Sequence, residues 1–304
     1  MRILVLGAGA TGGYFGGRLM EAGENVTFLV RPRRQAQLRE EGLAVASPLG
    51  NIRLPAQTVT AARKPYDLVL LSCKAYDLDG AIEAVRPAVG PDSVVLPVLN
   101  GLAHLERLDA AFGRERVLGG LCHISTALEP DGTIRHLNRV HRLAWGARDP
   151  AAEPAAARFA EAVGRTTVDG RHSPDILQEM WEKWVMLATL AASTCLMRAS
   201  VGAILRAGGE GFLAALLEEC RRVAEACGHP PGEAAAEACR RVFGDPASPM
   251  AASMLRDLQR GGPTEAEHVL GDLLRRGRAH GLDLPHLALA CVHLKAAEEM
   301  HGAS

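Results

Sequence analysis

The sequence lacks the features that mark membrane, secreted and nucleic-acid-binding proteins. Its apolar runs are broken by charged residues or glycine well before the roughly 20 residues that a membrane span needs. The N-terminus enters a predicted strand without the pattern of a secretory signal. The formal net charge of −1 gives no electrostatic basis for binding nucleic acid or an anionic membrane. These absences predict a cytoplasmic location and give no reason to expect nucleic acid or a membrane as a partner.

Metal-site and disulfide patterns are missing as well. The seven cysteines are scattered and contain no CxxC pair, and the eleven histidines show no ligand spacing. Zinc sites normally show cysteine and histidine clustered at short spacing, whereas an odd number of scattered cysteines is typical of reduced thiols. We therefore expect free thiols and no bound metal.

The chain does contain a glycine-rich turn at its start. The apolar run Ile3 to Leu6 precedes the glycines, and a predicted helix from Thr11 to Ala22 follows them. Glycines at this spacing let the backbone approach a pyrophosphate, and the start of the helix attracts its negative charge. A second predicted strand, Asn25 to Val30, completes the order that a dinucleotide fold needs. The predicted cofactor-binding residues are Gly7, Ala8, Gly9, Ala10, Thr11 and Gly12.

The end of the second predicted strand indicates which dinucleotide is bound. A carboxylate normally binds the ribose hydroxyls of NAD at this point, but the sequence from 30 to 34 is Val-Arg-Pro-Arg-Arg. An arginine fork matches a phosphate in geometry and charge, so the segment favours NADPH with Arg31 on its 2′-phosphate. Arg33 and Arg34 are secondary candidates. The alternative is a solvated basic loop at the start of a helix.

Strand-like and helical segments alternate up to about residue 170, and helical segments follow alone. Such alternation is typical of a parallel sheet covered by helices, and 304 residues exceed what one core comfortably serves. The segment Val117 to Ala127 is predicted as a further strand, and Thr133–Leu137 with Arg142–Trp145 as an appended hairpin. We predict an α/β fold in which residues 1–170 form an N-terminal Rossmann dinucleotide-binding domain. Residues 171–304 are predicted to form an all-helical domain for substrate and catalysis.

Two polar positions follow predicted strands of the sheet. Lys74 follows Leu68–Cys73, and Asn100 with Gly101 follows Val94–Leu99. Ligands of a doubly wound sheet gather beyond the carboxyl ends of its strands, which makes both positions candidates for the site. The alternatives are an ordinary Asn-Gly turn and a solvated lysine at a strand end.

The helical half offers Lys183 as an acid. Trp181 and Trp184 flank it, and apolar neighbours that remove water from an amine lower its pKa toward a value suited to proton donation. The alternative is an exposed lysine paired with Glu179, one helical turn earlier.

Glu265 begins a predicted helix that ends near Ala279. By pattern alone it is a first-turn acid after the cap Thr264, and Glu267 completes a capping box with that threonine. Ser253 carries no signal of its own.

Taken together, these motifs resemble those of the ketopantoate reductases (2-dehydropantoate 2-reductases). The resemblance runs from Met1 to about Pro285 and implies a Rossmann domain that binds NADPH, a helical domain, and reduction of ketopantoate to pantoate for pantothenate synthesis. It rests on the glycine turn, Arg31, Cys73-Lys74-Ala75, Asn100-Gly101, Trp181-x-Lys183, Ser253-Met254-Leu255-x-Asp257 and Thr264-Glu265, in this order.

The resemblance also implies a role for each site residue. Lys183 is the implied proton donor to the substrate carbonyl, and Asn100 binds both substrate and cofactor. Lys74 helps to hold the nicotinamide, Ser253 binds the substrate carboxylate, and Glu265 contacts the cofactor.

One departure from the family bears on the substrate. Better-known members carry asparagines four and eight residues after the lysine, where this chain has Leu187 and Ala191. Ser193 and Thr194 are nearby, although helical spacing does not place them equivalently. The alternatives are therefore a paralogous NADPH-dependent reductase of another 2-oxo acid and a non-catalytic NADPH-sensing protein. The alanine-rich helices suit either a packed core or the surface of a homodimer.

Overall fold

The computed structural model describes residues 1–302, with the side chains of residues 1–300. The chain divides into two compact units. The first comprises residues 1–99 and 104–177, and the second comprises residues 100–103 and the chain from Gln178 onward. The sequence places the domain boundary at residue 170.

The strands of the first unit form two sheets. In chain order they are β1 (Arg2–Leu6), β2 (Asn25–Leu29), β3 (Leu43–Ala46), β4 (Ile52–Leu54), β5 (Gln57–Val59), β6 (Leu68–Leu71), β7 (Val94–Pro97), β8 (Gly119–Leu128), β9 (Ile134–Gly146) and β10 (Asp169–His172). One sheet is parallel, in the order β5-β2-β1-β6-β7. From β1 the chain adds β2 and β5 on one side of the sheet, and then β6 and β7 on the other. The carboxyl ends of β1 and β6 therefore flank the topological switch point.

The strands at the centre of this sheet are apolar because helices cover both faces. Ile3, Leu4 and Val5 are fully buried, as are all the residues of β6. A run without polar alternation is what a strand with two covered faces requires. The parallel sheet of the predicted α/β fold is therefore confirmed.

Helix α1 lies unusually close to the sheet because its inner face is glycine. The helices of this unit are α1 (Ala10–Glu21), α2 (Pro32–Glu41), α3 (Leu78–Val85), α4 (Ala103–Phe112) and α5 (Glu153–Gly164). A Cβ on Gly16 would stand 2.7 Å from the Phe28 ring. Any side chain there would push α1 away from β2.

The second sheet corrects the predicted hairpin. Residues 133–137 and 142–145 do not form two strands, because β9 runs unbroken from Ile134 to Gly146. Its antiparallel partner is β8, predicted as a strand of the parallel sheet. The turn lies at Glu129–Thr133, where Gly132 has φ +82°. A register shift between Ile124 and Thr126 accommodates the exposed middle of β9.

Several short elements were not predicted from the sequence. Strands β3, β4 and β5 are three or four residues long, which is too short for a periodic signal. Strand β10 continues two residues past Gly170 and pairs in parallel with β9. Strands β3, β5 and β10 each pair with a strand distant in the sequence, and β4 pairs with the nearby β3.

A buried polar network joins α1 to β9. The Tyr14 hydroxyl lies 2.9 Å from His141 Nδ1, and Ser47 Oγ lies 3.0 Å from His136 Nδ1. His136 Nε2 donates to a backbone carbonyl at 3.0 Å, so in the neutral ring Nδ1 accepts from Ser47. Burial, then His136 and the buried Arg18 guanidinium, hold the pKa of His141 below its usual value. The network therefore suits a neutral His141.

The second unit is helical through residue 302, as predicted. Its helices are α6 (Ile176–Met197), α7 (Val201–Arg206), α8 (Glu210–Ala226), α9 (Glu233–Phe243), α10 (Ser253–Gln259), α11 (Asp272–Ala279) and α12 (Pro285–Gly302), with a π-helical turn (Glu267–Gly271) before α11. The predicted helix from 265 to 279 is thus interrupted by the π-helical turn.

A buried carboxylate on α8 caps the start of α12. Glu219 accepts hydrogen bonds from the backbone N–H groups of His286 (3.1 Å) and Leu287 (2.9 Å), and His286 Nδ1 lies 2.6 Å from its Oε1. First-turn N–H groups have no partner within their own helix. Glu219 supplies those partners and fixes α12 against α8.

The prediction that Thr264 forms a capping box with Glu267 is wrong. The Thr264 N–H donates to Glu298 Oε1 at 3.1 Å, and the Thr264 hydroxyl donates to the same oxygen. Glu267 instead pairs with Lys295 at 2.8 Å. Both partners come from α12, so contacts between helices replace the local motif.

Candidate active site

The glycine turn connects β1 to α1. Gly7 has φ +84°, a conformation that side chains rarely adopt, and its N–H donates to the Leu29 carbonyl at 2.8 Å. Gly9 precedes α1 in an extended conformation, φ −83°. Ala10 and Thr11 begin the helix. The unpaired first N–H groups of α1 therefore lie at the end of β1.

The three glycines of the motif have different spatial requirements. A Cβ on Gly12 would stand 2.3 Å from Ser72 Oγ and 2.9 Å from the Gly7 carbonyl oxygen. A Cβ on Gly9 would meet no atom within 4 Å. Gly12 thus permits close helix packing, whereas Gly9 leaves open space beside the first N–H groups of α1. A pyrophosphate fits such a turn.

The arginines after β2 divide into exposed and structural side chains. Arg31 precedes α2, and both Arg31 and Arg33 are exposed, with side chains that make no hydrogen bond or ion pair to any described residue. Arg34 is half-buried and donates to the carbonyls of Ala8 (3.2 Å) and Gly132 (2.9 Å). Arg34 therefore braces the glycine turn, and Arg31 has a free guanidinium for a phosphate.

Lys74 lies at the same edge of the sheet as the glycine turn. Strand β6 ends at Leu71, and Ser72 lies against Gly12 of α1. Two residues later, half-buried Lys74 begins a short helical turn, where its carbonyl accepts from the Asp77 N–H at 3.0 Å. The predicted cofactor residues Gly12 and Lys74 are thus close to the switch point of the sheet.

In the second unit the structure brings together two residues that lie far apart in the sequence. Lys183 Nζ on α6 donates a hydrogen bond to Asn100 Oδ1 at 3.1 Å. The side chain of Lys183 is part-buried. A hydrogen bond from an ammonium group to an amide oxygen is charge-assisted, so the contact orients the amine.

The two tryptophans beside Lys183 anchor α6. Trp181 and Trp184 share a helical face, about 100° or more from Lys183, and their rings are 4.9 Å apart. The Trp184 indole N–H donates to the Val269 carbonyl at 2.8 Å, and Trp181 stacks on His229. These contacts fix the helix that carries the lysine.

The Asn100–Gly101 turn packs against the π-helical turn. Gly101 has φ +72°, and a Cβ there would stand 3.2 Å from the His268 carbonyl and 3.4 Å from its ring. The carbonyl that accepts the Trp184 indole belongs to the same π-helical turn. π-helical turns are frequent at functional sites. Sequence analysis missed His268, because a single histidine in a helical run gives no spacing signal.

Ser253 and Glu265 lie on separate elements of the second unit. Ser253 is the exposed first residue of α10, and the preceding Ala252 N–H donates to Thr194 Oγ1 of α6 at 3.3 Å. Glu265 is buried just before the π-helical turn, and its carbonyl accepts from the Val269 N–H at 2.9 Å. The start of α10 is therefore joined to the helix that carries Lys183.

Metal-dependent and thiol-dependent chemistry have little support in the part of the chain that the structure describes. No three His, Cys, Asp or Glu side chains among residues 1–300 are grouped to hold a metal ion. Burial raises the pKa of the Cys195 and Cys220 thiols to about 12, which disfavours reactive thiolates there. None of the described helices has the length and apolar character of a membrane span.

Comparison with known proteins agrees with the dinucleotide-binding class that the glycine turn defines. The sequence profile described as "Ketopantoate reductase PanE/ApbA" matches residues 3–150, and "Ketopantoate reductase PanE/ApbA C terminal" matches residues 175–298. The chain belongs to the ketopantoate reductase family of oxidoreductases.

Individual relatives cover nearly the whole chain. It is 36% identical over 300 residues to the "Uncharacterized oxidoreductase YkpB" of Bacillus subtilis, spanning 98% of this chain and 99% of that protein. It is 32% identical over 294 residues to the 2-dehydropantoate 2-reductase of Halobacterium salinarum, spanning 94% and 95%. A ternary structure of D-mandelate dehydrogenase with NADH and anilino(oxo)acetate has a TM-score of 0.89 at 21% identity, spanning 99% of this chain and 100% of that one. The last likeness shows the fold alone.

Proposed function

We propose that the protein is an NADPH-dependent reductase that converts a 2-oxo acid to the 2-hydroxy acid, with Lys183 as the proton donor. The hydrogen bond between Lys183 and Asn100, in a chain of this family, is the observation that carries the proposal. The bound dinucleotide supplies a hydride to the carbonyl carbon. NADPH, a proton and the 2-oxo acid give NADP⁺ and the 2-hydroxy acid.

The first unit holds the cofactor in this proposal. The glycine turn and the first N–H groups of α1 bind the pyrophosphate, and Lys74 contacts the nicotinamide portion. Arg31 binds the 2′-phosphate, which its free guanidinium and the absence of a carboxylate at the end of β2 support. D-mandelate dehydrogenase, a structural neighbour, holds NADH, so the preference for NADPH depends on Arg31 in this chain.

Lys183 performs the proton transfer. Negative charge develops on the carbonyl oxygen as its carbon is reduced, and an ammonium group within hydrogen-bond reach both stabilises and protonates it. Asn100 Oδ1 orients the ammonium, and the neutral amine then regains a proton from solvent. We assign the substrate carboxylate to Ser253, and further cofactor contacts to Asn100 and Glu265.

Ketopantoate is the substrate that the resemblance predicts, and it is the named substrate of the Halobacterium relative. We keep it as the reference substrate, with pantothenate synthesis as the predicted pathway. The homodimer and the cytoplasmic location also stay predictions.

The test is steady-state NADPH oxidation by the purified protein with ketopantoate, pyruvate, 2-oxobutyrate, 2-oxoisovalerate and oxaloacetate. For the preferred acid, Lys183→Ala should lower kcat by roughly 10² to 10⁴ and leave the Kd for NADPH nearly unchanged. Lys64→Ala, which removes an exposed lysine of the first unit, is the control and should keep full activity. Near-normal turnover by Lys183→Ala would remove the lysine from the mechanism. NADPH binding without turnover of any acid would favour the NADPH-sensing alternative.

A further inference from the structure

The face of α6 that carries Lys183 is apolar beyond the lysine. Positions four, seven and eight residues after Lys183 share its face of the helix, and they are Leu187, Leu190 and Ala191. Leu190 and Ala191 are buried, and Leu187 is half-buried. Leu187 is the accessible one of the three, so a substrate side chain that extends one helical turn along α6 from the amine would meet hydrocarbon.

The hydroxyl groups of α6 are already bonded within the protein. Thr189 Oγ1 donates to the Val185 carbonyl at 2.8 Å, and Ser193 Oγ donates to the Thr189 carbonyl at 2.7 Å. Thr194 Oγ1 donates to a carbonyl of the preceding turn at 2.6 Å and accepts from the Ala252 N–H at 3.3 Å. All three side chains are fully buried. From Trp184 to Met197 the helix has no other hydroxyl and no side-chain amide.

These hydrogen bonds decide whether Ser193 and Thr194 can take the place of the family's two asparagines, a question that the sequence leaves open. Each hydroxyl has one proton to donate, and both donate it to carbonyls of α6 itself. Both side chains are also fully buried, which keeps their remaining lone pairs out of a ligand's reach. Neither hydroxyl therefore replaces the two asparagines that better-known family members carry on this face. On α6, a hydroxyl group of the substrate would be desolvated without a new partner.

We propose that the acid which this enzyme reduces has a branched hydrocarbon side chain rather than a hydroxylated one. The inference rests on the proposed function and deepens it, because it names the substrate class of the same site. Leu187 is the specificity-determining residue: it is the half-buried apolar side chain one helical turn beyond the proton donor. A buried apolar site disfavours a substrate that adds a hydroxyl by about tenfold to 100-fold in kcat/KM.

A matched pair of acids tests the inference directly. Ketopantoate and trimethylpyruvate share one carbon skeleton and differ by a single hydroxyl group. We expect kcat/KM for trimethylpyruvate to exceed that for ketopantoate by about tenfold or more. Equal values, or a preference for ketopantoate, would overturn the inference and leave the proposed reductase in place. Turnover of neither acid nor of any other 2-oxo acid would overturn the proposed function, and the inference with it.

A substitution at Leu187 separates specificity from structure. Leu187→Asn places an amide on the apolar face and should move the ratio of the two kcat/KM values toward ketopantoate by about fivefold or more, with the Kd for NADPH unchanged. Leu187→Met keeps the surface apolar with a similar volume and should leave the ratio as it is. A merely structural role would lower both activities together and would not change the ratio, which would overturn the assignment of Leu187.

Discussion

Replacing Gly12 by alanine tests how closely α1 approaches the sheet. The new Cβ would stand 2.3 Å from Ser72 Oγ, 2.9 Å from the Gly7 carbonyl oxygen and 3.2 Å from Val5 Cγ1. The Ser72 hydroxyl can rotate away, but the Gly7 carbonyl belongs to the turn, so α1 must shift. Overpacking costs about 1–3 kcal/mol, whereas alanine in place of a helical glycine contributes about 0.5–1 kcal/mol. We expect Gly12→Ala to lower the free energy of unfolding by about 0.5–2 kcal/mol.

The same substitution at two other glycines should have different results. A Cβ on Gly80, within α3, would meet nothing within 4 Å, so Gly80→Ala should raise the free energy of unfolding by about 0.5–1 kcal/mol. A Cβ on Gly9 would also meet nothing, and the φ of −83° there is ordinary. Gly9→Ala should therefore fold normally, but its methyl group would obstruct the pyrophosphate and raise the Kd for NADPH by about tenfold or more.

Urea unfolding without cofactor and NADPH titration by fluorescence measure the two effects separately. We expect the order of stability to be Gly80→Ala, then wild type, then Gly12→Ala, with Gly9→Ala close to wild type. A Gly12→Ala protein as stable as Gly80→Ala would refute the close packing of α1. A wild-type Kd for NADPH in Gly9→Ala would refute the phosphate assignment, even with the packing correct.

Three further predictions follow from single side chains. Arg31→Ala should weaken NADPH binding by about one to two decades and leave NADH binding unchanged, while Arg39→Ala, on α2, should change neither. Equal effects of Arg31→Ala on both cofactors would contradict the phosphate role. Because burial lowers the pKa of His141 in the folded state, its contribution to stability is complete above about pH 6.5 and falls below it, by at most about 1.4 kcal/mol per pH unit. Urea midpoints at pH 7.5 and 5.5 should therefore differ less in His141→Gln than in wild type, and an unchanged difference would exclude this histidine. Glu219→Ala should lower the free energy of unfolding by about 1–3 kcal/mol, since it leaves first-turn N–H groups of α12 without acceptors. Its control is Glu218→Ala, which removes an exposed carboxylate and should lower that free energy by under about 1 kcal/mol. Equal losses in the two variants would contradict the role of Glu219 as a cap.

The glycine turn and the long helices were predictable because their signals are local. Strand β1, the three glycines and α1 lie within the first 21 residues, and each requirement is met by neighbours in the chain. The periodic pattern from Asp175 to about Arg198 predicts the helix that carries Lys183, and the structure has this helix at Ile176–Met197. Ser173-Pro174 is a typical helix start, with a capping hydroxyl before a proline, and Ser173 Oγ accepts from the Asp175 N–H at 3.2 Å just before this helix.

The extent of the strands in the second sheet was not predictable because pairing between strands, rather than local composition, determines it. The exposed middle of β9 has the polar composition of a turn, and the pattern therefore predicts two strands. Pairing with β8 on both sides keeps this segment extended: His136 pairs with Thr126 and His141 pairs with Ile124. The same reason explains the capping error at Thr264, where Glu298 of α12 replaces the local Glu267.

The candidate active site depends both on local sequence motifs and on contacts between residues far apart in the sequence. Asn100 and Lys183 each have an ordinary interpretation when considered alone, as a turn residue and as an exposed helical lysine. Their hydrogen bond joins positions 83 residues apart, and the turn at Gly101 makes it possible. A side chain at position 101 would have to adopt φ near +72° and fit 3.2 Å from the His268 carbonyl, so a larger residue there would displace Asn100 from the lysine. The glycine of the Asn-Gly pair therefore supports the orientation of Lys183 together with the asparagine that contacts it.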